Sequence, residues 1–168
     1  MGDDFVASTK MWLEDASKGW GHQIDAIAFE GLKFLDAKKG YLRCSFVVTD
    51  RVADADGNWH VGAISTSLAA IGLYAILSLV GDLRVSMDFN ASFYAKAKIH
   101  KLMYILMLLC DMGGWVWHAQ EEVEIEARVV ENLGEIASVM METRRKSDGK
   151  LIASGKQWMN SNRLRSKL

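Results

Sequence analysis

The chain has 168 residues, half of them hydrophobic and 24% charged, with a formal net charge of -1. That length suffices for one domain with a core, and so balanced a charge excludes a protein built to coat nucleic acid. Proline is absent, so turns fall to Gly, Asn and Asp, and the two cysteines, Cys44 and Cys110, stand in no zinc-ligand spacing and read as reduced thiols.

The first residues, MGDDFVASTK, are acidic and polar and lack the basic region and apolar run of a secretory signal. Val6 stands where a myristoylation pattern needs Ser or Thr. Over residues 4–19, Phe5, Val6, Met11, Trp12, Leu13 and Ala16 follow a roughly helical spacing, with Gly19 and Gly21 to end it. This predicts a helix that packs one side on the body. Phe29 to Leu35 and Tyr41 to Thr49 read as strands joined by the turn Asp36–Gly40, and they should pair as a hairpin. After the polar loop from Asp50 to Asn58, every residue from Ala63 to Val80 is apolar or small. The run approaches a membrane span in length. Its four hydroxyl residues, Ser65, Thr66, Ser67 and Ser78, and the lack of Lys or Arg on both flanks favour a buried central helix without stable membrane insertion.

Next, Val85, Met87, Phe89, Ala91 and Phe93 alternate with Ser86, Asp88, Asn90, Ser92 and Tyr94, the period of a half-buried strand. Three more strands follow at 121–130, 135–146 and 150–160, joined by turns at Asn132-Leu133-Gly134 and Ser147-Asp148-Gly149. The order predicts an α+β domain, one long central helix wrapped by a curved antiparallel sheet. Residues 1–22 form an N-terminal helical segment, 23–160 the main domain and 161–168 a polar tail. One stretch breaks the pattern: residues 101–120, KLMYILMLLCDMGGWVWHAQ, separate two strands that otherwise run on naturally. It reads either as a helical insertion or as a gene-model error. The second is favoured because Ile99-His100 joined to Glu121-Glu122 restores a normal connection. Transcript reads covering codons 101–120 in mature message would end that idea.

At Asn58-Trp59-His60-Val61-Gly62-Ala63-Ile64, then the apolar helix, then Val85-Ser86-Met87-Asp88-Phe89-Asn90, the sequence resembles the hot-dog acyl-CoA thioesterases. Within them it is similar to the thioesterase superfamily member 2 and phenylacetate-pathway type. The likeness covers about residues 25–160 apart from the insert, including Gly149-Lys150-Leu151-Ile152-Ala153 and Gly155. It implies a hot-dog fold and hydrolysis of acyl-CoA to free acid and coenzyme A. It also implies sites shared between subunits of a homodimer or homotetramer, and no cofactor beyond the substrate's own coenzyme A.

His60-Val61-Gly62 precedes a helix start, where free main-chain N–H groups carry partial positive charge and can receive a thioester carbonyl and its oxyanion. The resemblance assigns this to the Val61 and Gly62 amides, with Val61 where the family usually has Gly. His60 either orients the loop or caps the turn. The family's catalytic Asp lies nine residues after the motif His, and here that position is Ala69, followed by Ala70. No acidic residue occurs between Gly62 and Gly81. Two groups are candidates to compensate. Asp54, six residues before His60, is a candidate base from the loop side, or a solvated loop carboxylate or helix-entry cap. Ser86 matches the family's water-positioning Ser, with Asp88 and Asn90 expected on the same face of the strand. Arg144, Arg145 and Lys146 suit the phosphates of coenzyme A, or form a solvated hairpin end.

Two functions follow: an acyl-CoA thioesterase, or a catalytically degenerate scaffold that binds acyl-CoA or pairs with an active paralogue. A membrane-associated protein using Leu102–Cys110 is a weaker third. The chain ends in Ser166-Lys167-Leu168, the tripeptide read by a peroxisomal import receptor, with Arg163 and Arg165 just upstream.

Overall fold

A computed structural model of the chain describes residues 3–18, 23–100 and 119–161. Two helices open it, α1 (Asp3–Ser17) and α2 (Gln23–Phe29), followed by strands β1 (Lys33–Lys38) and β2 (Tyr41–Val47). A single 3-10 turn, Asp50–Val52, leads to the long helix α3 (Val61–Val80). Then come β3 (Arg84–Phe93), the short β4 (Ile99–His100) and β5 (Ala119–Gln120), and three long strands, β6 (Glu122–Asn132), β7 (Ile136–Arg145) and β8 (Leu151–Ser161). The main sheet is antiparallel and six-stranded, in the order β1-β2-β6-β7-β8-β3.

The core forms where α3 lies on one face of this sheet. Ile64, Leu68, Ile71, Ala75 and Ile76 of the helix meet Leu42, Cys44, Val123, Ile125, Val139, Met141 and Ile152 of the strands, all buried. Leu13 and Ala16 of α1 join the same cluster. Burial pushes the Cys44 thiol up to about 12, so it stays protonated and inert. Cys110 lies outside the described residues.

Two glycines explain how closely the helix approaches. At Gly72 a Cβ would stand 2.7 Å from the Met141 Sδ and 3.1 Å from both the Gln157 Oε1 and the Val139 Cγ1. At Gly81, φ is +75°, and the ring of Phe5 from α1 occupies the space of the missing side chain.

The region before the first hairpin differs from the expectation. Residues 23–29 are helical, and the first strand begins at Lys33 rather than Phe29. Phe29 closes the short helix and is buried against the core. The segment 101–118 lies outside the described residues. Its flanks pair with each other as a two-residue ladder, Ile99 opposite Gln120 and His100 opposite Ala119.

Candidate functional site

The entrance to α3 is built by its own first residue pair. His60 is the N-cap, with extended backbone at φ -65 and ψ 132, and its imidazole Nδ1 accepts from the Gly62 amide at 3.0 Å. A Cβ on Gly62 would stand 3.0 Å from that nitrogen and 3.2 Å from Cε1. A side chain at position 62 would crowd the ring where it folds over the helix end. An accepting Nδ1 places the ring's N–H on Nε2. This corrects the expectation of two open donors. The Gly62 amide is closed by its own N-cap, while no described group accepts from the Val61 amide. The next turn is tied down by the hydroxyls of Ser65 and Thr66, which donate to the Val61 and Gly62 carbonyls at 2.9 Å.

A cavity of about 220 Å³ opens beside this helix end. Ile27 from α2, Arg51 and Val52 from the 3-10 turn, and His60, Gly62 and Thr66 line it. Arg51 is paired with Glu30. Among the described side chains, no carboxylate lines the cavity. Arg51 and Thr66 are not singled out by sequence reasoning: Arg51 is one charged residue in a polar loop, and Thr66 lies in an otherwise apolar run.

Asp54 does not face this space. Its carboxylate accepts from the Asp56 amide at 2.9 Å and the Asn58 amide at 2.8 Å, and the Asn58 side-chain amide lies 3.2 and 3.1 Å from its two oxygens. The Asp54 amide in turn donates to the Asn58 carbonyl at 2.7 Å. The Asn58 backbone and side-chain donors hold the Asp54 carboxyl below the usual carboxylate range. Such a group is a poorer base as well as an occupied one. A folded value below the unfolded one means that the stability Asp54 contributes is full above the ordinary carboxylate range and is lost as pH falls through the lowered value. The difference in denaturation midpoint between wild type and Asp54→Ala should accordingly be full at neutral pH and close once pH drops below about 4. A gap that widens in acid would contradict this.

Ser86 lies on the helix side of β3, where its hydroxyl accepts from the Gln157 side-chain amide at 2.8 Å. Asp88 and Asn90 do not share its face. The register pairs Ser86 with the buried Met159 but Asp88 with Trp158, because a bulge at Met87 inserts one residue between them. One extra residue reverses every side chain beyond it. In a single chain Ser86 does not line the cavity at His60.

The three cations of the β7 end are each occupied by carboxylates. Arg144 pairs with Glu142 at 2.8 Å, Arg145 with Glu121 and with Asp148 at 3.0 Å, and Lys146 with Glu122 at 2.7 Å. The β6–β7 register, with Val123 opposite Arg145, brings the two ends together. None of the three lines the cavity. Ala69 sits part-buried in α3 and, unlike Ala70, is not packed on the core cluster.

Six antiparallel strands holding one long helix by its apolar side have close counterparts among solved structures. Thioesterase superfamily member 2 from zebrafish matches with a TM-score of 0.74 at 22% identity, over 92% of this chain and 96% of that one. This chain has the hot-dog fold. The mouse thioesterase superfamily member 2 matches at 0.70 and 20% identity, over 92% and 96%. A Streptococcus pneumoniae hypothetical thioesterase, solved with coenzyme A, matches at 0.67 and 15% identity, over 88% and 94%. No family model and no curated protein sequence matches the chain. Within the hot-dog fold, His60 opens the central helix and β3 forms one edge of the sheet, with no described strand on its far side.

Proposed function

We propose that this protein binds acyl-CoA at the entrance of α3, placing the thioester carbonyl on the Val61 amide, and that it hydrolyses the thioester slowly. The observation that carries the reading is a main-chain donor with no described acceptor, at the positive end of a 20-residue helix whose neighbouring residues His60 and Gly62 line a cavity of mixed apolar and polar side chains. The coenzyme A bound by the Streptococcus pneumoniae neighbour supports the ligand class.

Hydrolysis requires water to add to the carbonyl carbon, the oxyanion to be held by the Val61 N–H, and the carbon–sulfur bond to break. The products are a carboxylic acid and the coenzyme A thiol. Among the described side chains no base for the water stands at the cavity. Ala69 has none to offer, and Asp54 is taken up by its loop. This reading lies between the two functions the sequence suggests, nearer to the degenerate scaffold that binds acyl-CoA than to an efficient thioesterase.

Val61→Pro tests the donor directly. Proline at the first helical position removes only an N–H and suits both the helix and the extended His60 before it. Calorimetry with a non-hydrolysable acyl-CoA thioether should show at least a roughly tenfold loss of affinity at an unchanged melting temperature. Unaltered binding would remove Val61 from the site.

We further propose a homodimer or homotetramer formed along β3. Its free edge carries the exposed Val85, Met87 and Phe93, and Tyr94 follows it directly. Import into peroxisomes through Ser166-Lys167-Leu168 completes the reading. A fluorescent protein fused to the N-terminus should collect in peroxisomes and disperse when Leu168 is deleted; a punctate pattern in the truncated fusion would end that assignment.

A further inference from the structure

The chain between β3 and β4 is held from three sides, and one buried carboxylate connects them. Glu121 is 8% exposed, and its Oε2 accepts from the Lys98 amide at 2.5 Å. The same carboxylate pairs with Arg145, whose guanidinium also donates to the Lys96 carbonyl at 2.9 Å and to Asp148. The backbone of Glu121 is fixed independently, since its carbonyl accepts from the Val48 amide at 3.1 Å. Residues 96–98 are thus pinned by side chains from β7 and from the residue before β6.

Those three residues are the surface on which the α3 entrance is laid. The Trp59 amide donates to the Ala97 carbonyl at 2.7 Å, and Asn58 forms an isolated bridge with Lys98. Trp59 is buried, and its ring packs on Phe46 at 5.3 Å between centroids. The next residue is His60, whose amide donates to the Val52 carbonyl at 2.8 Å and whose ring caps Gly62. One step further lies the Val61 amide.

We infer that Glu121 is a positioning residue for the ligand site. Its carboxylate sets the Lys98 amide, residues 97–98 set Asn58 and Trp59, and these place the N-cap and the Val61 donor. A buried charge that accepts from a main-chain amide holds it more firmly than a neutral acceptor does. The functional consequence rests on the acyl-CoA reading above, whereas the mechanical coupling does not.

The test uses the full chain with Glu121→Ala and Glu121→Gln. Two quantities are read: the amide resonances of residues 58–61, and the affinity for a non-hydrolysable acyl-CoA thioether. Glu121→Ala should displace those four resonances and weaken binding about tenfold. Glu121→Gln, which keeps an acceptor for Lys98, should lie between it and wild type. Ile125→Val, a core change on β6, should lower stability while leaving residues 58–61 in place. A folded Glu121→Ala protein with wild-type resonances at 58–61 overturns the proposal. Should that variant not fold, amide exchange in Glu121→Gln decides. Faster exchange at both Lys98 and Trp59 supports the coupling, and faster exchange at Lys98 alone overturns it. If wild type fails to bind the thioether, the acyl-CoA reading falls and the resonances still judge the coupling.

Discussion

Ala69→Asp should raise the steady-state rate of acyl-CoA hydrolysis by about 10²–10⁴-fold over wild type, the range ordinarily gained from one positioned general base. The position invites the change. Ala69 lies two turns into α3, part-buried, and outside the packed cluster that contains Ala70. A carboxylate there avoids the penalty of a charge driven into the core. Aspartate in a helix interior costs only about 0.5 kcal/mol relative to alanine, so the variant should fold. The assay is thiol release over short, medium and long acyl-CoAs, with thioether affinity measured alongside. A variant that binds as wild type does and gains no rate would sink the claim that a missing base limits turnover. High turnover by wild type itself would do the same from the other side.

Gly72→Val should destabilise the fold by about 3 kcal/mol. A mid-helix glycine costs about 1 kcal/mol relative to alanine, so something must offset its presence, and the packing supplies the reason. A Cβ would press on Met141 at 2.7 Å and on Gln157 and Val139 at 3.1 Å, with valine adding two more methyl groups to the same gap. The surrounding side chains are buried in the centre of the sheet and have little room to move. Urea midpoints give the result, and Gly72→Ala should fall well short of the valine effect because gained helix propensity offsets part of the crowding. A valine variant as stable as wild type would mean that the helix is free to lift from β7 and β8.

Much of the architecture was legible because periodicity is a backbone property. The apolar run ending at Val80, the strands around Glu126, Met140 and Gly155, and the Ser147-Asp148-Gly149 turn all announce themselves locally. The short helix Gln23–Phe29 was not legible, since seven residues span too few turns to display a face. The bulge at Met87 was also hidden. Alternation runs unbroken through Ser86, Met87 and Asp88, and only the pairing with β8 reveals that the faces change there.

The helix entrance was readable in its residues, whereas several contacts around it were not. His60 and Gly62 stood out as a helix entrance, but sequence alone does not fix the rotamer that turns the imidazole onto the Gly62 amide. Asp54 seemed a free carboxylate because Asn58, four residues on, looks like any loop residue until the turn closes. Arg144, Arg145 and Lys146 looked available because their partners, Glu142, Glu121, Asp148 and Glu122, include residues set by strand register.

The small ladder between Ile99–His100 and Ala119–Gln120 has a practical consequence. Chain entropy penalises a longer excursion only logarithmically, roughly 0.6 kcal/mol for each doubling of its length. With exit and return fixed side by side, exchanging the sequence between them should cost the domain little. That makes it a natural graft point for a reporter or an affinity handle.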